Sequence, residues 1–282
     1  MLKTKILVLV LLLGGSSLTT AQVAITSDVI YGHKDGMALI YDVLKPANAN
    51  GAAVVYMVSG GWVSRWAAPE SRVSQFQDLL DAGFTVIPVH HGSAPRYFVP
   101  EAYTDVSRAI RHIRMHAMDY GIDANRLGVT GGSAGGHLSL MLGLAADEGD
   151  ANASDAVMRV SNKVAAVVAY YPPVDLRSMT GPSDRFPALN FPNEQAAAIS
   201  PILLVDPQDP PTLLIHGDAD RTVNISHSQR MIAELEKNHI ASNFVTLPGA
   251  GHGFRGDDAV HAAALRLAWF DKYLNHRGTA SE

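Results

Sequence analysis

Cysteine is absent from this 282-residue chain. That excludes disulfides, thiolate metal centres and a cysteine nucleophile together. Basic clusters are missing too: 22 Lys and Arg stand against 27 Asp and Glu, for a net charge of −5. Such a chain is a poor partner for nucleic acid or an anionic membrane surface. Its longest leading apolar run, Ile6 to Leu13, is too short to span a bilayer. Neither an internal repeat nor a low-complexity tract is present. His112 and His116 stand at i, i+4, but Ile-Arg-Met lies between them. H-E-x-x-H is therefore missing, and the pair reads as an exposed helix face without metal. Gly251-x-Gly253-x-x-Gly256 spells a dinucleotide fingerprint, but only 26 residues follow Gly256, too few for a βαβ unit. No cofactor and no metal are expected.

The chain opens with Lys3 and Lys5, then the apolar run, then Thr19-Thr20-Ala21. This order predicts a signal peptide over residues 1–21, cleaved near Ala21, and a secreted or periplasmic protein with no membrane contact after cleavage. Residues 22–282 then form one α/β domain, a length that buries a sizeable core. Strand patterns fall at 37–43, 53–58, 84–90, 127–130, 164–170, 212–215 and 242–247, with Pro88 weakening the third. Helical spacing marks 101–118, 134–146, 228–238 and 257–274. The alternation implies a mostly parallel sheet with helices on both faces. Nine of the fifteen prolines lie between Pro172 and Pro211. Residues 172–211 therefore read as a loop-rich cap crossing the sheet edge above the site.

Gly131-Gly-Ser133-Ala-Gly135 matches G-x-S-x-G between a strand and a helix. A sharp strand-to-helix turn brings the residues flanking the serine together, and a Cβ at Gly131 or Gly135 would collide. The turn lifts the Ser133 hydroxyl above the sheet, near the positive end of the following helix. A flexible linker would not be framed by buried elements, and no lysine follows as a phosphate loop requires. Serine needs a base to become a nucleophile. His252, between Gly251 and Gly253 after the last strand, suits that role. Asp218 and Asp220, just past the strand at 212–215, are both candidates for the supporting acid, with Asp220 further from the strand. Ala134, the residue after the serine, and the glycine loop Ser59-Gly60-Gly61-Trp62 would donate N–H groups to an oxyanion. His137 either lines the pocket or packs.

Taken together, these residues resemble those of secreted α/β-hydrolase serine esterases. The similar groups are the hormone-sensitive-lipase-like enzymes and the bifunctional feruloyl/acetyl-xylan carbohydrate esterases. The resemblance runs through Ser59–Trp62, Ala94-Pro95, Asp105, Arg126–His137, Ser200-Pro201, His216–Asp220 and Gly251–Phe254. It implies a Ser133–Asp220–His252 triad and oxyanion donors at Gly60, Gly61 and Ala134. It also implies hydrolysis of short-acyl esters, carbohydrate-linked ones among them, through an acyl-enzyme. One difference stands out: Val58-Ser59 replaces the His-Gly that usually opens the glycine loop. The competing readings are an amidase or peptidase of the same fold, and a non-catalytic binding module on a hydrolase scaffold. The sequence sets no oligomeric state.

Overall fold

The computed structural model describes residues 23–275; the expected signal peptide lies outside them. Eight strands form one sheet: β1 (Val23–Lys34), β2 (Met37–Pro46), β3 (Ala53–Met57), β4 (Thr85–Val89), β5 (Leu127–Gly132), β6 (Ala166–Tyr170), β7 (Thr212–Gly217) and β8 (Ser242–Leu247). Their order is β1-β2-β4-β3-β5-β6-β7-β8. β1 and β2 are antiparallel, as are β2 and β4, and every other pairing is parallel. The mostly parallel sheet is thus the one the alternating pattern implies.

The helices are α1 (Gln77–Asp81), α2 (Val99–Met115), α3 (Ala117–Tyr120), α4 (Ala134–Leu144), α5 (Ser226–Lys237) and α6 (Asp257–Phe270). Period-2 alternation along the strands divides the core into two layers. Ala53, Val55 and Met57 of β3 face a cluster that takes in α2, α4 and α5. Val54 between them faces the other cluster, with α1 and α6. Every residue of α4 is buried, which explains why it is apolar all round rather than striped. Parallel strands so covered read as near-continuous apolar runs, as β6 and β7 do.

Three features depart from the sequence pattern. The β1–β2 hairpin was not expected: β1 has no clean alternation, and its register shifts twice. Its turn is nevertheless Asp35-Gly36, both at positive φ (48° and 82°), as a two-residue hairpin loop requires. Second, β4 is interior despite Pro88. Its registered partners on the β2 side are Tyr41↔Val89 and Leu44↔Val86 only, and proline contributes no donor to either ladder. Third, His112 is not part of a bare exposed face, because its Nδ1 meets Tyr41 Oη at 2.9 Å.

Residues 172–211 carry four short 3₁₀ turns and no longer helix. Ala188, Leu189, Phe191 and Ile199 are buried in the α2–α4 layer, so the segment is packed down. Arg126 closes the opposite edge. It donates from Nε to Leu274 O at 2.6 Å, from Nη1 to Asn50 O at 2.8 Å and from Nη2 to Asn275 Oδ1 at 2.7 Å.

Phe270 on α6 is fully buried, and a Cβ built on Gly128 of β5 would lie 2.6 Å from its Cε1. So close an approach leaves nothing to fill the gap if the ring is removed. Phe270→Ala is expected to cost about 3–5 kcal/mol of stability, read as a lower urea midpoint. A loss below about 1 kcal/mol would contradict this packing.

Candidate active site

Parallel strands with adjacent ends place the loops after β3, β5, β6, β7 and β8 at one carboxyl edge, where open α/β sheets bind ligands. Ser133 sits at the β5–α4 turn with φ 55° and ψ −118°, a region that costs a non-glycine residue strain. The surroundings hold it there. Its N–H donates to Tyr170 O at 2.9 Å, and its carbonyl accepts His137 N–H at 2.9 Å. A Cβ on Gly131 would lie 2.6 Å from the Gly135 carbonyl carbon, so the expected collision is real. The neighbour of a Gly135 Cβ is different: it would meet Met57 O at 2.9 Å.

The structure separates the two aspartates. Asp220 Oδ2 accepts from His252 Nδ1–H at 2.7 Å. Asp218 Oδ1 instead accepts Gly249 N–H at 2.6 Å and ties the β7 loop to the loop that carries the histidine. The Asp220 side chain is fully buried. Its other oxygen accepts Thr222 N–H at 2.7 Å and Val223 N–H at 3.0 Å. Burial would raise this carboxyl, but the bond to His252 and the two backbone donors outweigh it and hold it below its ordinary value. A carboxylate facing Nδ1–H leaves Nε2 of His252 as the basic nitrogen.

Ser133 and His252 line one pocket of about 460 Å³, together with Ser59, Gly60, Tyr170, Tyr171 and Phe254. No hydrogen bond joins the Ser133 hydroxyl to His252 among the described residues. Catalytic bonds of this kind are often long without a ligand and tighten in the complex.

The expected N–H donors divide. Gly60 N–H donates to Val63 O at 3.1 Å and its carbonyl accepts Val63 N–H at 3.0 Å. Gly60 therefore closes the loop on itself, which corrects the expectation that it faces an oxyanion. Among the described residues no acceptor is set against Gly61 N–H or Ala134 N–H. Gly61 takes φ 58°, the left-handed conformation that glycine allows at least cost.

Several residues outside the expected set shape this edge. His216 is fully buried, with Nε2 donating to Val223 O at 2.9 Å and lying 3.3 Å from Asp220 Oδ2. Ser228 Oγ meets its Nδ1 at 2.8 Å. Tyr171 packs its ring 4.6 Å from that of His252. Ser59 Oγ lies 2.9 Å from His91 Nε2, while His91 Nδ1 donates to Gly92 O at 2.7 Å. A histidine after β4 thus braces the glycine loop that lacks one of its own. Asp105 secures that support by accepting Gly92 N–H at 2.9 Å and the Lys34 ammonium at 2.9 Å. His137 packs rather than lining the pocket. It accepts Trp62 Nε1–H at 3.2 Å and donates from Nε2 to Ile199 O at 2.8 Å. It joins the glycine loop, the elbow helix and residues 172–211 in one network. The sequence signal for these residues was proximity to the motifs, and their partners lie up to 75 positions away.

Known proteins resemble this chain in sequence and in fold. The family model BD-FAE matches residues 41–235. Esterase LipQ of Mycobacterium tuberculosis is 29% identical over 244 residues, covering 81% of this chain and 57% of that protein. The chain therefore spans little more than half the length of this relative. Among solved structures, a truncated carbohydrate esterase from gut microbiota superposes with a TM-score of 0.76 at 27% identity, covering 91% of this chain and 98% of that one. Thermogutta terrifontis esterase 2 phosphorylated by paraoxon superposes with a TM-score of 0.72 at 25% identity, covering 89% and 94%.

Burial pushes the ring of His137 down to about 4, and burial, with Arg72 adding, does the same to His90. His91 and His216 are lowered by burial as well. These rings are neutral in the folded chain, while the unfolded chain takes up protons at the ordinary value of about 6.5. Between those limits the unfolded state binds more protons, so stability rises with pH. The urea midpoint is expected to fall as pH is lowered from about 6.5 towards about 4. A flat profile across that window would contradict the neutral, bonded histidines.

Proposed function

The chain belongs to the BD-FAE family, and from that premise we propose that it is a serine hydrolase that cleaves carboxylic esters through an acyl-enzyme. The observation that carries this reading is the 2.7 Å bond from His252 Nδ1 to buried Asp220, with His252 and Ser133 on one pocket. His252 Nε2 takes the Ser133 proton as the hydroxyl attacks the carbonyl. Asp220 holds the tautomer and stabilises the imidazolium that forms. The Gly61 and Ala134 N–H groups receive the oxyanion. His252 returns the proton to the leaving alcohol, then activates water to release the acid. The side chains described supply every proton transfer in this scheme.

The named relatives support the reaction class, since one is an esterase and another an esterase that paraoxon phosphorylates. The carbohydrate esterase among the structural neighbours supports esters carried on carbohydrate as the substrate. Among the described residues no helix is long and apolar enough to cross a membrane. The Lys3/Lys5, Ile6–Leu13 and Ala21 pattern supports a site of action outside the cytoplasm.

A fluorophosphonate probe with mass mapping is expected to label Ser133 alone, and Ser133→Ala to abolish both the label and turnover of 4-nitrophenyl acetate. Asp220→Asn is expected to lower kcat about 10⁴-fold, as loss of the orienting carboxylate does in such triads. Asp218→Asn, which spares the bond to His252, is expected to cost far less. Labelling of another residue would overturn the assignment.

A further inference from the structure

His252 stands on a loop with little to stiffen it. Gly251 and Gly253 flank it, and Gly249 and Gly253 take φ of 73° and 82°. Among the described residues its imidazole makes one hydrogen bond, from Nδ1 to Asp220 at 2.7 Å. That bond fixes the tautomer and one corner of the ring. The ring could still tilt about that corner, and Nε2 would swing with it. A second contact is needed to hold its plane. The ring set against the imidazole is that of Tyr171, with centroids 4.6 Å apart and planes at 56°. Phe254 in turn packs edge-on to Tyr171 at 4.8 Å.

Tyr171 directly follows β6 and holds φ 36°, a conformation that is costly for an aromatic residue and persists only where the surroundings impose it. Its N–H donates to Ile215 O at 2.8 Å, and Tyr170 O just before it accepts the Ser133 N–H at 2.9 Å. The side chain then reaches back to the elbow. A Cβ on Gly132 would lie 2.8 Å from Tyr171 Oη, 3.0 Å from Cε2 and 3.1 Å from Cζ. The G-x-S-x-G turn does not itself require glycine at this position. The Tyr171 ring does, because it fills the space a side chain would need. One ring thus rests on the residue before the nucleophile and against the imidazole of the base. We propose that Tyr171 is a positioning residue, its ring the spacer that fixes the approach of the His252 imidazole to Ser133. The proposal rests on the Ser133–His252 assignment above. Tyr171 moves no proton itself, since burial pushes its hydroxyl well above the ordinary tyrosine value.

Misplacing a catalytic group by about 1 Å costs on the order of a hundredfold in rate. With 4-nitrophenyl acetate, whose acyl group is small, Tyr171→Leu is expected to lower kcat by about ten- to a hundredfold and to change KM by less than about threefold. Tyr171→Phe keeps the ring and is expected to stay within about threefold of wild type in both. If Tyr171→Leu does not fold, Tyr171→Asn serves, since asparagine accepts a positive φ more readily and still removes the ring. A rise in KM with kcat unchanged would mean that Tyr171 only lines the pocket, and would overturn the proposal. A loss in Tyr171→Phe as large as in the variant without a ring would do the same.

The decisive measurement asks whether Tyr171 acts through His252. Phosphonylation of Ser133 by a fluorophosphonate is followed by intact mass, which reads slow variants as well as fast ones. The rate is measured with and without the Tyr171 substitution, in the wild-type and in the His252→Ala background. A group that works through the imidazole has nothing to position once the imidazole is gone, so the two losses do not add. Tyr171→Leu is expected to slow labelling about tenfold or more when His252 is present. In the His252→Ala background it is expected to leave the rate unchanged within about twofold. An equal loss in both backgrounds would overturn the proposal. A His252→Ala protein labelled as fast as wild type would instead mean that the base is misassigned, so the two failures are distinct.

Discussion

A single bond, from the imidazole of His252 to the buried carboxylate of Asp220, gives the candidate site its organisation. It spans two loops whose strands, β7 and β8, are paired in parallel from Thr212↔Ser242 to Gly217↔Leu247. That register brings both loops out at the same height. The Asp218 contact with Gly249 N–H then fixes the distance between them. Without the carboxylate the ring would lose its tautomer, and without the register the carboxylate would face solvent. The strained Ser133 turn is the remaining requirement, and β5 reaches the same edge through its pairing with β6. Fold and chemistry meet in strand register more than in any one side chain.

Electrostatics around the site follow one rule: buried ionisable groups are either supplied with donors or kept neutral. Asp220 has the His252 ring and two backbone N–H groups, and stays charged. His91, His137 and His216 are boxed between carbonyls and hydroxyls or an indole, and stay neutral. A neutral histidine is both donor and acceptor. Each of these rings can therefore join two loops that would otherwise have unmatched groups, which is why three of them frame the edge.

Much of this was legible in the chain because it is local. The G-x-S-x-G turn, the glycines at 251 and 253, and the apolar runs of β6 and β7 each announce themselves within ten residues. From the residues alone Asp218 and Asp220 stayed open, since both fall just past β7; the family resemblance pointed to Asp220, and it is Asp220 that the His252 ring meets. Gly60 was expected to be a donor by position in a motif, yet its N–H is used by Val63, three residues on. The β1–β2 hairpin was missed although Asp35-Gly36 marks it. Two register shifts erase the alternation that would have named β1. Pro88 argued against an interior strand, and β4 accommodates it by thin pairing towards β2. The roles of His137 and Tyr171 depend on partners in other elements, which no local pattern records.

The His137 network has a mechanical consequence. Its ring holds Trp62 on one side and the Ile199 carbonyl on the other, and Phe186 presses to within 3.2 Å of where a Gly61 side chain would begin. Residues 172–211 are thereby stitched to the helix beneath them, and swinging them outward would strip a buried imidazole of its carbonyl partner. The pocket wall that runs from Gln75 to Ala259 and Ala262 of α6 lies outside that network.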